Sequence, residues 1–80
     1  MMKCVAVDST SIAAIGYDRG KRELGIEFLQ SGAVYLYFEV PSEEHHAFMA
    51  AESKGKYLNR VFKTRRYRYS GPHPGRGRAA

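Results

Sequence analysis

Gly32-Ala33-Val34-Tyr35-Leu36-Tyr37-Phe38-Glu39-Val40-Pro41 is the most strand-like run in the chain, and the elements on either side are placed by reference to it. Val34, Leu36, Phe38 and Val40 alternate with Ala33, Tyr35, Tyr37 and Glu39. The two-residue period of a strand therefore gathers the first set into one apolar face, which is expected to be core. The opposite face carries two phenol rings, apolar in body and polar at the tip, suited to partial burial or to stacking.

Before this run, Arg22 to Leu29 also alternates, with Leu24, Ile26 and Phe28 on one side and Glu23, Gly25 and Glu27 on the other. That is the pattern of an antiparallel strand covered on one face. A two-residue Ser31-Gly32 turn would set core residues of one strand opposite outer residues of the next. A three-residue loop, Gln30-Ser31-Gly32 with Gly32 left-handed, pairs Phe28 with Val34, Ile26 with Leu36 and Leu24 with Phe38. This register also sets Gly25 opposite Tyr37, Glu27 opposite Tyr35 and Glu23 opposite Glu39. Earlier still, the polar turn Asp8-Ser9-Thr10-Ser11 leads into a short strand, Ile12 to Tyr17, closed by Asp18-Arg19-Gly20-Lys21. A two-residue Arg19-Gly20 loop or a four-residue Asp18-to-Lys21 loop places Ala13, Ile15 and Tyr17 on the core face.

After the central run, Pro41-Ser42-Glu43-Glu44 is a helix start, with Ser42 as N-cap and two carboxylates in the first turn. The helix is expected to reach about Glu52 and to bury Ala47, Phe48, Ala50 and Ala51. Ser53 caps a second helix, Lys54 to about Lys63, whose Leu58, Val61 and Phe62 share a face. The Gly/Pro/Arg stretch from Ser70 to Ala80 has nothing to bury and is expected to be disordered. The fold class is therefore α+β: a three-stranded antiparallel β-meander followed by two short helices packed on one face, with the domain at 7–69 and a disordered tail at 70–80. At 80 residues the core is small, which fits a monomer or weak homodimer.

Charge is unevenly placed. Residues 1–53 hold eight acids and four bases, net −4, whereas residues 54–80 hold nine bases and no acid, net +9. A single-sign segment of this kind is a footprint of polyanion binding. No run approaches the ~20 apolar residues of a membrane span, and the apolar start is too short for a signal peptide. With the lone Cys4 this points to a cytoplasmic protein and no membrane partner.

The basic segment carries the chemistry. Lys54, Lys56, Arg60, Lys63, Arg65, Arg66 and Arg68 are candidate phosphate contacts, and Tyr35, Tyr37, Tyr67 and Tyr69 are candidate stacking platforms, with Tyr57 the ring most readily taken into the core. Ser53, Lys54, Gly55 and Lys56 form a candidate anion site at a helix start. Alternating Arg and Tyr at 65–69 is the combination used for single-stranded nucleic acid, so RNA is the favoured partner. The alternative is a protein-interaction module that docks an acidic partner through the Tyr35/Tyr37 face or the basic tail. His45 and His46 point about 100° apart on a helix and cannot share a metal, so no metal and no cofactor is expected. Glu44, His45, Lys56 and Arg66 supply the residue types of a small ribonuclease without a diagnostic spacing, and no enzyme is expected.

Asp8-Ser9-Thr10-Ser11-Ile12, Ile15-Gly16-Tyr17-Asp18, Leu24-Gly25-Ile26-Glu27-Phe28, Tyr35-Leu36-Tyr37, Val40-Pro41 and Ala51-Glu52-Ser53-Lys54-Gly55-Lys56-Tyr57-Leu58-Asn59 together resemble a KTSC domain. The resemblance spans roughly Val7 to Tyr69. It implies a module that occurs at the C-terminus of some lysyl-tRNA synthetases and as small stand-alone bacterial and phage proteins, with RNA binding as the activity usually suggested. Its central motif falls on Tyr35 and Tyr37, and its small-Glu-Ser-Lys-Gly motif on Ala51, Glu52, Ser53, Lys54 and Gly55.

Overall fold

The computed structural model describes residues 3–74. Five strands follow one another as an antiparallel meander, β1 (Lys3–Ala6), β2 (Ile12–Asp18), β3 (Glu23–Phe28), β4 (Ala33–Tyr37) and β5 (Tyr69–Pro74), in the spatial order of the sequence. Between β4 and β5 come helix α1 (Ser42–Ala50), helix α2 (Lys54–Arg60) and a 3₁₀ helix at Phe62–Arg65. The α+β class and the two helices are as expected; the sheet has five strands, not three.

The two additional strands lie at the edges. β1 is short and pairs with β2 from Lys3↔Tyr17 to Ala6↔Ala14. β5 covers Ser70 to Pro74, which were expected to be disordered because they bury no apolar side chain. An edge strand needs only main-chain partners, and β4 supplies them, from Tyr37↔Tyr69 to Ala33↔Pro74. Pro72 and Pro74 donate no main-chain hydrogen bond, which is tolerated at an edge and hinders pairing with a further strand. Residues 75–80 of the expected tail, with Arg76 and Arg78, lie outside the described residues.

The central register corrects the expected faces. β3 and β4 pair Leu24↔Tyr37, Gly25↔Leu36, Ile26↔Tyr35 and Glu27↔Val34, one residue away from the register inferred from the apolar alternation. A one-residue slip exchanges the two faces of a strand. Tyr35 and Tyr37 thus face the helices, while Val34 and Leu36 lie on the other side with Gly25 and Glu27. The loop occupies 29–32, where Gly32 has φ 72° and its N–H donates to the Phe28 carbonyl at 2.9 Å. Val40 is fully buried although it shares Leu36's parity, because β4 ends at Tyr37 and Glu39 turns the chain with φ 55°. Across β2 and β3 the pairs Ile15↔Ile26 and Tyr17↔Leu24 keep the expected core face, but a bulge between Ile12 and Ala14 breaks the alternation, so that Ile12, fully buried, takes the core place expected for Ala13. The loop there occupies 19–22, a shift of two residues, which leaves parity intact.

The core between sheet and helices is Ile12, Ile15, Leu24, Ile26, Val40, Phe48, Leu58 and Phe62. Full burial of a ring such as Phe48 or Phe62 is worth ~1.5–3 kcal/mol each. On α1 the buried positions are Glu44 and Phe48, one turn apart, whereas Ala47 and Ala50 are exposed. Ala47 and Ala50 therefore do not form the expected buried side. Ser42 caps nothing with its side chain; the Pro41 carbonyl accepts from the Glu44 and His45 amides instead. Ser53 does cap α2, its Oγ accepting from the Lys56 amide at 3.2 Å. That helix ends at Arg60, earlier than expected, because Val61 leaves helical geometry at φ −120° and the chain tightens into the 3₁₀ turn.

The face assignment is testable. Tyr37→Thr removes a ring packed edge-on against Phe62 and is expected to lower unfolding free energy by about 3 kcal/mol. Leu36→Thr, on the other face, is expected to cost about 1 kcal/mol or less. Urea denaturation measures both; the reverse order would contradict the register.

Candidate functional site

The site begins with one carboxylate. Glu44 is 6% exposed, because its position one turn before Phe48 points it into the seam between α1, α2 and the segment after the 3₁₀ turn. Its Oε1 accepts from Arg65 Nε at 2.8 Å and from the Tyr67 hydroxyl at 2.9 Å, and its Oε2 accepts from the Tyr57 hydroxyl. Burial raises the Glu44 pKa, but the hydrogen bonds from Tyr57, Tyr67 and Arg65 and the Arg65 charge outweigh it, leaving the carboxyl below its ordinary value. The phenols move the other way. Burial, then the bond to Glu44, raises Tyr57 and pushes Tyr67 up to about 12.

From this seam a chain of aromatic rings runs across the helix face of the sheet. Tyr57 meets Phe48 at 5.0 Å between centroids, Phe48 meets Phe62 at 5.3 Å, and Phe62 meets Tyr67 at 5.2 Å and Tyr37 at 4.9 Å. Tyr37 then meets Tyr69 at 5.5 Å, Tyr69 meets Tyr35 at 5.7 Å, and Tyr35 meets Phe28 edge-on at 5.6 Å. Burial, followed by the neighbouring Tyr69 and Tyr35, raises the Tyr37 pKa.

The outer part of this chain lines an open groove of ≈ 1020 Å³. Phe28, Tyr35, Tyr37 and Tyr69 line it from the sheet, and Phe62 and Tyr67 from the helical side. Lys63 and Arg66 stand at its rim, and Thr10, Ser11, Gln30 and Ser31 complete it near the β3–β4 loop. Tyr69 is 60% exposed, so its ring is available as well as held.

Two backbone features shape the groove. Arg66 caps the 3₁₀ turn in the left-handed conformation, φ 58° and ψ 41°, with its amide donating to the Lys63 carbonyl at 3.3 Å. Glycine or asparagine is the usual choice at such a cap, so an arginine there accepts some backbone strain. At Gly71, φ is +147° and an added Cβ would lie 2.9 Å from Tyr35 Cδ2 and from the Val34 carbonyl oxygen. Only glycine lets β5 lie this close to Tyr35 and hold Tyr69 over the groove.

The sequence-derived residues are thus sorted. Tyr35, Tyr37, Tyr67, Tyr69, Lys63 and Arg66 converge on one groove. Arg65 is drawn to Glu44 instead, and Arg68 forms an exposed 3.3 Å pair with Glu39 and covers the Phe38 ring at 5.7 Å. Lys63 and Arg66 have no carboxylate partner among the described residues. Lys56 and Arg60 lie one turn apart and exposed on α2, away from the groove lining. At the expected anion site the Ser53 hydroxyl is occupied by the Lys56 amide, and Lys54 Nζ donates to the Ala51 carbonyl at 2.6 Å.

Gly55 abuts the Ser9–Ser11 turn, where an added Cβ would come 3.3 Å from Ser11 Oγ. Ser9 Oγ accepts from the Ser11 and Ile12 amides. The two polar motifs of the sequence therefore meet in space.

Phe28, Thr10, Ser11, Gln30 and Ser31 were not singled out as site residues in the sequence. The β3–β4 register brings Phe28 and its loop alongside Tyr35, and the Leu29 amide, donating to the Ser11 carbonyl at 2.9 Å, brings Thr10 and Ser11 to the same place. In the sequence Glu44 carries only the mark of a helix-start carboxylate, because its donors Tyr57, Arg65 and Tyr67 lie far along the chain. His45 stacks on Tyr17 at 4.6 Å, and burial, then the neighbouring His46, lowers its pKa. No three His, Cys, Asp or Glu side chains among the described residues come together as metal ligands, and no described helix is long and apolar enough to cross a membrane.

Fold and site together define an α+β module: a meander with its helices on one face and an aromatic, cation-rimmed groove between the two layers. The chain belongs to the KTSC domain family, whose family model matches residues 8–71. It is similar to an uncharacterised protein of Stutzerimonas stutzeri, 46% identical over 68 residues that cover 85% of this chain and 94% of that one. A protein of Tsukamurella paurometabola is 44% identical over 59 residues, covering 74% and 87% of the respective chains. The crystal structure of a KTSC domain protein from Yersinia pestis superposes with a TM-score of 0.81 at 37% identity, covering 88% of this chain and 96% of that one.

Glu44→Ala leaves Arg65 and two phenols without their shared acceptor and is expected to cost on the order of 3 kcal/mol, measured by urea denaturation. The folded-state pKa of Glu44 is depressed, so its contribution is present at neutral pH and lost as the pH falls through that depressed value. Glu44→Gln is expected to lower neutral-pH stability and flatten the acid limb of the stability curve; an unchanged acid limb would contradict the assignment.

Proposed function

We propose that this chain is a single-stranded nucleic-acid-binding module, with RNA preferred, acting by binding and without catalysis. The observation that carries the proposal is the convergence of four tyrosines with Lys63 and Arg66 on one groove. Bases stack on aromatic rings whatever their sequence, and cations beside the rings follow the phosphates. Unstacked bases are most accessible in single-stranded RNA. The left-handed Arg66 adds support, because backbone strain clusters where a side chain is needed for a task. Lys56, Arg60 and Arg68 extend the cationic surface, whereas Arg65 contributes mainly by positioning Tyr67 through Glu44. The same reading assigns the protein to the cytoplasm, as a monomer or weak dimer.

The competing reading is a protein-interaction module. Tyr69 and the 55% exposed Leu29 offer apolar contacts on the groove that the cations also line, which would suit an acidic protein segment.

Salt separates the two. Binding of a short oligoribonucleotide is expected to weaken log-linearly with salt, and Lys63→Ala/Arg66→Ala is expected to make the slope shallower by roughly 1.4. Lys54→Ala/Lys56→Ala is expected to change it less. Arg66→Gly serves as a folding control, with stability expected to stay within about 1 kcal/mol because the strained cap is relieved. Affinity for the oligomer no better than that of an unrelated basic protein at low salt would remove the proposal and favour the protein partner.

A further inference from the structure

The groove is lined by two chemically different sets of polar side chains. Around the β3–β4 loop it presents Ser11, Gln30 and Ser31, neutral groups that both donate and accept hydrogen bonds. The main chain joins these pieces, the Leu29 amide donating to the Ser11 carbonyl at 2.9 Å. On the side of Phe62, which meets Tyr37, the groove presents Lys63 and Arg66. Tyr35 and Tyr69 line the same groove, Tyr69 opposite Tyr37 across β4 and β5 and with an exposed ring. The groove volume of ≈ 1020 Å³ lies just above the ~300–1,000 Å³ range typical of small-molecule clefts.

We propose that the groove is a one-nucleotide site: a purine or pyrimidine base lies against Tyr69 and Tyr35, its edge reaches Gln30, Ser31 and Ser11, and its phosphate rests between Lys63 and Arg66. This rests on the nucleic-acid reading above and deepens it by assigning the base and the phosphate to separate groups. A flat neutral heterocycle suits the rings, because they offer a face of polarizable surface and no charge. A hydrogen-bonding edge suits an amide and hydroxyls, and a phosphate suits two cations that have no carboxylate partner among the described residues. A bare sugar phosphate would leave the rings uncovered, and a bare nucleoside would leave the cations unpaired. Gly71 is a positioning residue here, since any side chain at that point collides with Tyr35 and displaces the strand that carries Tyr69.

The test is an amide-resonance titration of the full chain with adenosine 5′-monophosphate, adenosine and ribose 5-phosphate, at millimolar concentration. The monophosphate is expected to shift the amides of β4, of Leu29 to Ser31 and of Lys63 to Tyr67, and to give contacts from base protons to the Tyr35 and Tyr69 rings. Adenosine and ribose 5-phosphate are each expected to bind at least about fivefold more weakly. Tyr69→Ala is expected to weaken the monophosphate about tenfold, with Tyr69→Phe retaining most of the affinity. Lys63→Ala/Arg66→Ala is expected to abolish the difference between monophosphate and nucleoside. Equal binding of ribose 5-phosphate and the monophosphate, shifts confined to Lys54–Arg60, or no shifts would each overturn the one-nucleotide site. If the oligoribonucleotide still binds with its salt slope intact, the broader reading stands without this site. If the monophosphate binds as described and the oligomer does not, the site stands and the broader reading falls.

Discussion

The Glu44 carboxylate is the constraint on which the helical half of the molecule depends. Helix α2 is seven residues long, too short to persist in water on its own propensity. The 3₁₀ turn that follows has poorer hydrogen-bond geometry still. What fixes both is a buried charge that takes hydrogen bonds from Tyr57 on α2, Arg65 at the end of the 3₁₀ turn and Tyr67 beyond it. A buried carboxylate is costly unless such donors satisfy it, so any rearrangement that withdraws one of them is penalised. Lys63 and Arg66 lie between the anchored positions and are therefore presented in place although their own side chains are not paired.

The sheet supplies the other half of the groove by a different device. β5 is held by main-chain bonds to β4 and by the clearance at Gly71, not by burial of its side chains, most of which are exposed. The exposed ring of Tyr69 is the result, supported between Tyr35 and Tyr37 and still open to a ligand. The aromatic chain from Tyr57 to Phe28 links the two devices. One end is spent on the core through Phe48 and Phe62, and the other is left at the surface.

Much of this was legible in the residues themselves. Strict alternation over Leu24–Phe28, the turn formers at Gly32, the cap at Ser53 and the charge division after Ser53 place the elements and the cationic segment. The face of β4 was not legible, because both of its sides are apolar enough to be core and the choice rests on a single loop residue. The four-residue loop 29–32 shifts the register by one and turns Tyr35 and Tyr37 inward. β5 was hidden for a related reason: a strand docked through its backbone leaves no apolar alternation to read. Glu44 looked like a helix-start acid, since its burial depends on donors 13 to 23 residues away. The sorting of Arg65 from Arg66 followed the same rule. Adjacent in sequence, they diverge because Arg66 is itself the left-handed cap, so that Arg65 reaches Glu44 and Arg66 the groove rim.

The central claim is that bases of a single strand enter the groove beside Tyr69. Ultraviolet cross-linking of a short oligouridylate to the full chain, followed by mass mapping of the adducts, measures this most directly. Adducts concentrated on Tyr69 and Tyr35, with loss of the signal in Tyr69→Ala, are the predicted result. Adducts confined to the α2 segment around Lys54–Arg60, or none above the level of an unrelated basic protein, would contradict it.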